Sequence, residues 1–144
     1  MKATNEMKLS FKSKSTNESF ARTAVASFLL QLDPTISEMA DIKTAVSEAV
    51  TNCIIHAYKD NLGIIYITTQ IFESRKVIIK IKDKGCGIKN IEQAMQPMYT
   101  TGGEERAGLG LAVMQSFTDK LKVISTPDKG TTITLIKTLG TYDE

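Results

Sequence analysis

Leu9 and Phe11 alternate with Lys8, Ser10 and Lys12, the period of a strand with one buried face. The pattern then changes to a helical one. Phe20, Ala21, Ala24, Val25, Phe28, Leu29 and Leu32 form a stripe that stops at Asp33-Pro34, and Ser15 with Glu18 three residues on has the spacing of a capping box at its start. Thr35 and Glu38 repeat that spacing ahead of a second stripe, Met39, Ile42, Val46, Ala49, Val50, Cys53, Ile54 and Ala57, which predicts a long helix ending near 58–60. The β-branched runs 64–72 and 76–82, separated by Glu73-Ser74-Arg75, predict a hairpin whose second strand runs into Asp83. Residues 95–107 have no apolar period and contain Pro97, Gly102 and Gly103, which predicts a mobile loop. A third helical stripe covers 109–117. Strands are predicted over 121–126 and 131–139, joined by the turn Pro127-Asp128-Lys129-Gly130.

Strands in hairpins beside three helices predict an α+β fold: a two-layer sandwich of a mixed, largely antiparallel sheet with about three helices on one face. A chain of 144 residues is read as a single domain, residues 1–144, of a size that buries about 70% of its unfolded surface. Eighteen Lys and Arg against 16 Asp and Glu leave a net charge of +2, too little field to gather nucleic acid or acidic lipid. Cys53 and Cys86 stand far apart without a C-x-x-C pair, which disfavours a disulfide framework and a zinc site and suits a reducing compartment. No apolar run approaches the length of a membrane helix, and the polar start is unlike a signal peptide, so a cytoplasmic location is expected.

Four segments carry the candidate chemistry. Glu48 and Asn52 lie four apart on the second helix and so share a face, with His56 one turn beyond. A carboxylate able to deprotonate a hydroxyl and an amide oxygen able to hold Mg2+ suit phosphoryl transfer, although a solvated helix face would read the same way. His56, with no ligand-spaced neighbours, reads as structural. Asp83-Lys84-Gly85-Cys86-Gly87 follows a strand and can offer a carboxylate to the exocyclic amine of adenine, with Gly85 and Gly87 letting the backbone approach the ring; a plain tight turn is the alternative. Gly108-Leu109-Gly110 opens a helix whose backbone N–H groups can hold phosphates, or is only a hinge there. Arg106, just before it, can balance charge on a terminal phosphate or simply face water. Gly130-Thr131-Thr132 is either a hairpin turn or places Thr131 beside the base. The P-loop, the dinucleotide-binding glycine motif and the eukaryotic kinase signatures are absent from the sequence.

In this order and spacing, the four segments resemble the N, G1, G2 and G3 boxes of the ATPase superfamily that contains gyrase, the ninety-kilodalton heat-shock chaperone, histidine kinases and MutL. More narrowly, Asn17-Glu18-Ser19-Phe20-Ala21-Arg22, Gln31-Leu32-Asp33-Pro34-Thr35, the run 42–52 and Gln96-Pro97-Met98-Tyr99-Thr100-Thr101 resemble the anti-sigma-F (sporulation stage II AB) family, over nearly the whole chain. The resemblance implies the superfamily's ATP-binding fold and a homodimeric protein kinase. Such a protein sequesters a sigma factor and uses ATP and Mg2+ to phosphorylate a serine on an anti-anti-sigma protein, with ADP as product. Carried over by motif, Glu48 is the general base, Asn52 the Mg2+ ligand, and Asp83, Gly85 and Gly87 the adenine turn. Thr100, Thr101 and catalytic Arg106 fall in the ATP lid, Gly108, Leu109 and Gly110 lie beside the phosphates, Thr131 near the base, and Arg22 at a partner-contact position. The chain departs from the family in the lid, where Gly102-Gly103-Glu104-Glu105 replaces a basic-Pro-acidic segment, and at Ala107, where a serine is usual. Histidine kinases keep their phosphoacceptor on a separate helical domain, for which this chain has no room, so a hydroxyl acceptor is expected. The competing readings are a stress-response anti-sigma kinase of another circuit and a kinase-dead module gated by nucleotide.

Overall fold

The computed structural model describes residues 2–58, 62–86 and 110–140. Its elements run β1 (Asn5–Lys12), α1 (Asn17–Leu29), α2 (Ile36–Asn52), β2 (Ile64–Ile71), β3 (Lys76–Asp83), a helical stretch α3 over 110–116, β4 (Lys120–Thr126) and β5 (Gly130–Thr138). The strands form one sheet in the order β1-β2-β3-β5-β4, and each of the four pairings is antiparallel, so the largely antiparallel expectation holds without a parallel pairing among the described residues. Alternation fixes which side chains meet the helices. Leu9, Ile67, Ile81, Ile133 and Val123 stand in one row across all five strands. That row joins Ala21, Val25 and Leu29 of α1, Val46, Ala49 and Val50 of α2, and Leu111 and Met114 of α3 in one apolar cluster. The helices therefore cover one face of the sheet, as an α+β two-layer packing requires.

The two capping boxes fare differently. At α2 the Thr35 hydroxyl accepts from the Glu38 N–H at 3.0 Å while the Glu38 carboxylate accepts from the Thr35 N–H at 2.9 Å, so the box is complete. At α1 the expected Ser15–Glu18 box does not form. Thr16 takes the cap position with helical dihedrals (φ −63°, ψ −21°) and makes no side-chain cap bond, because the chain is already turning there instead of entering extended. Glu18 pairs with Arg22 at 3.3 Å instead. Helix α1 then tightens through a 3₁₀ turn, Leu30–Leu32, and stops where Asp33 adopts a left-handed conformation (φ 51°) ahead of Pro34.

One inward position breaks the apolar pattern. Thr69 faces the core from β2 between Met7 and Ile79, is 0% exposed, and its hydroxyl has no hydrogen-bond partner among the described residues. A buried hydroxyl left unpaired opposes folding. Thr69→Val keeps the shape and is expected to stabilise the protein by about 1 kcal/mol, read as a rise of about 3 °C in Tm by differential scanning calorimetry. An unchanged or lower Tm would mean that the hydroxyl is satisfied in solution.

Candidate functional site

The sequence separates Cys53, Asp83 and Thr131 widely; the sheet and the end of α2 bring them together. Asp83 ends β3 directly opposite Thr131 of β5. Its Oδ1 accepts from the backbone N–H of Gly85 at 2.9 Å and of Thr131 at 3.2 Å, and its Oδ2 accepts from the Cys53 thiol, with Sγ at 3.5 Å. Asp83 is only 4% exposed, and burial raises its pKa above the usual aspartate value despite those three donors. The Cys53 thiol is likewise pushed well above the ordinary range, first by burial and then by the neighbouring Asp83 charge. Thr131 turns its hydroxyl to that of Ser125, 2.9 Å away.

The helix that carries the polar pair does not end as a simple α-helix. After Asn52, α2 widens into a π-helical turn, Cys53–Ala57, in which the Tyr58 N–H reaches the Cys53 carbonyl at 3.2 Å. The widened turn presents the Ala57 carbonyl to the Cys86 N–H at 3.1 Å, and a Cβ on Gly85 would run into Ala57 itself. Gly85 is therefore required by close approach between helix and turn. Gly130 (φ 127°) faces the same constraint, since a Cβ there would strike the Asp83 carbonyl. Cys86 ties the turn to both neighbours: its thiol lies 3.2 Å from the His56 carbonyl and its own carbonyl accepts from Asp128 N–H at 2.6 Å. Tyr58 closes the unit, accepting from the Lys84 N–H at 2.6 Å and donating to the Ile64 carbonyl at 2.8 Å.

Glu48 and Asn52 meet the start of α3. A Cβ on Gly110 would stand 3.0 Å from Asn52 Oδ1 and 3.2 Å from Glu48 Oε2, so the missing side chain leaves a space that both oxygens face. Asn52 is 9% exposed, and its amide nitrogen, Nδ2, is buried without a hydrogen-bond partner among the described residues. A buried amide left unsatisfied among the described residues, beside a carboxylate and against a glycine, is a place that calls for a further polar group. Arg22 lies elsewhere, on the surface of α1, paired with Glu18 and within 3.3 Å of the Ser19 hydroxyl. Gly87, Thr100, Thr101, Arg106, Gly108 and Leu109 lie outside the described residues, as does the predicted loop 95–107.

The contributions of Cys53 and Tyr58 are not predicted by the sequence pattern. Cys53 continues the apolar stripe of α2, and only its contact with Asp83 distinguishes it from a core residue. Tyr58 sits where the helix was expected to end, without any motif to mark it. Among the described residues no helix is long and apolar enough to cross a membrane.

A carboxylate–amide face on one helix, a buried aspartate turn and a glycine-opened third helix against one antiparallel sheet define a class of nucleotide-binding domain. The sequence profile of the histidine kinase-like ATPase domain matches residues 11–137. The fold is similar to the RsbU and RsbW domains of a Mycobacterium tuberculosis protein, with a TM-score of 0.70 at 20% identity over 94% of this chain and 33% of that one. Among relatives, the anti-sigma F factor of a Thermoanaerobacter species is 60% identical over 97% of this chain and 98% of its own length, and that of Priestia megaterium 50% over 94% and 93%. The chain belongs to the anti-sigma F factor family, within the histidine kinase-like ATPase domains.

Proposed function

We propose that this protein is a cytoplasmic anti-sigma factor with two linked activities. It binds and inhibits a sigma factor of the sigma-F type during sporulation, and it transfers phosphate from ATP to a serine of an anti-anti-sigma antagonist. The observation that carries the kinase half is the convergence of Glu48 Oε2 and Asn52 Oδ1 on the space in front of Gly110, with the next residue, Cys53, in contact with Asp83.

In this reading Asp83 accepts from the exocyclic amine of adenine, and Thr131 and Gly85 hold the carboxylate in place from behind through their backbone N–H groups. Gly108, Leu109 and Gly110 offer backbone N–H groups to the phosphates, Thr100 and Thr101 act from the lid, and Arg106 offsets charge on the terminal phosphate. Glu48 takes the proton from the attacking serine hydroxyl. Asn52 would hold Mg2+ through its hard amide oxygen, which faces the space before Gly110, and the ion, when bound, would supply positive charge against the phosphates. Arg22, partly exposed on α1 beside Glu18, contacts the protein partner. The edge strand β1 with the neighbouring α1 provides a symmetric surface for a homodimer, because a strand at a sheet edge keeps unpaired backbone groups.

The direct test is transfer of labelled phosphate from ATP with Mg2+ to the anti-anti-sigma protein of the same genome. Acid-stable phosphoserine is the expected product. Nucleotide-dependent sigma binding with no transfer would leave a nucleotide-gated binding module and remove the kinase.

A further inference from the structure

We infer that Cys53 is a positioning residue for nucleobase recognition: its thiol holds Oδ2 of Asp83 so that one acceptor direction of the carboxylate is left for a single N–H of the base. The inference rests on the reading of Asp83 as the adenine acceptor. A carboxylate offers about four acceptor directions. At Asp83 two belong to Oδ1 and are filled by the Gly85 and Thr131 N–H groups, which come from different segments and fix the plane of the carboxylate between them. A third, on Oδ2, is taken by the Cys53 thiol at 3.5 Å. The remaining direction on Oδ2, unfilled among the described residues, suits one N–H donor, which the exocyclic amine of adenine has and the carbonyl of hypoxanthine lacks.

The placement of Cys53 is itself a product of the fold. Cys53 is 1% exposed, is the first residue of the π-helical turn, and follows Asn52 directly, so the residue beside the proposed phosphate site also touches the base acceptor. Removing the thiol opens a second acceptor direction on Oδ2, which water or a rotated carboxylate can use. The base then loses its single defined partner. Serine preserves the donor in a smaller group, whereas alanine deletes it.

The test is equilibrium binding of ADP and of IDP, whose base carries a carbonyl in place of the amine, to wild type, Cys53→Ala, Cys53→Ser, Asp83→Asn and the Cys53→Ala/Asp83→Asn double variant. Cys53→Ala is expected to weaken ADP about 5-fold, the loss of one modest hydrogen bond, while leaving IDP nearly unchanged, so that the preference for adenine falls. Cys53→Ser should restore ADP binding, and Cys53→Ala should add nothing in the Asp83→Asn background. Equal losses for ADP and IDP would mean that Cys53 only fills space, and an unchanged ADP affinity in Cys53→Ala would also overturn the inference. If Asp83→Asn leaves ADP binding intact, the adenine assignment itself fails and this inference fails with it. If Asp83→Asn loses ADP and Cys53→Ala does not, only the role of Cys53 is overturned.

Discussion

Asp83→Asn is expected to weaken ATP and ADP binding about 100-fold, equivalent to about 2.7 kcal/mol, while the protein becomes no less stable. The direction follows from which atoms are already committed. The backbone N–H groups of Gly85 and Thr131 both need an oxygen at the Oδ1 position, so an asparagine must place its carbonyl there and turn its NH2 toward Cys53 and the base. The amine of adenine would then meet a donor in place of an acceptor. Stability moves the other way, because the folded wild type holds an ionised carboxylate in a buried place and burial raises its pKa. The sign is that of an acid whose folded pKa exceeds its unfolded one: between the two values the unfolded state has released a proton that the folded state retains. Stability therefore falls as pH rises from the ordinary aspartate value of 3.8 through the raised one, and then levels off. Asp83→Asn lacks this dependence. Calorimetric titration with ADP, together with Tm measured from pH 4 to pH 7, checks both halves; a Tm that drops on substitution at neutral pH would show that the carboxylate supports the fold.

Glu48→Ala is expected to lower the rate of phosphate transfer by about 10²- to 10⁴-fold, the range of a lost general base, with ADP affinity within about threefold of wild type. Its carboxylate is half-buried on α2 and faces the space before Gly110, and no hydrogen bond ties it to the Asp83 turn among the described residues. Removing it subtracts an acceptor for the attacking proton and leaves Asp83, Thr131 and Asn52 where they are. Single-turnover transfer to the anti-anti-sigma protein, measured beside ADP binding, separates the two effects. Parallel loss of transfer and binding would make Glu48 a binding or structural residue. Undiminished transfer would remove it from the chemistry altogether.

The alternations and helical stripes of the sequence located the described elements to within a few residues, because each has one apolar face whose period is set by the backbone alone. They also placed Glu48 and Asn52 on one side of α2, since residues four apart on a helix must share a face. The capping spacing of Ser15 and Glu18 misled for the converse reason: a cap bond depends on dihedrals just outside the helix, and Thr16 enters already turned. What no local pattern contains is the joining of distant segments. Asp83 meets Thr131 because β3 pairs with β5, skipping β4 in the chain order, and that register reflects how the whole sheet buries its inward rows on the helices. The π-helical turn brings Ala57 against Gly85, and Cys53, one more apolar position in its stripe, becomes a donor to Asp83 only through that packing. The elements and their amphipathic faces are legible in the chain because they depend on neighbours within one or two turns, and the order of the four boxes is read directly from it. Which donors surround Asp83 and which oxygens face Gly110 is set by the fold, because those contacts exist only once long-range strand pairing and core burial have ordered the chain.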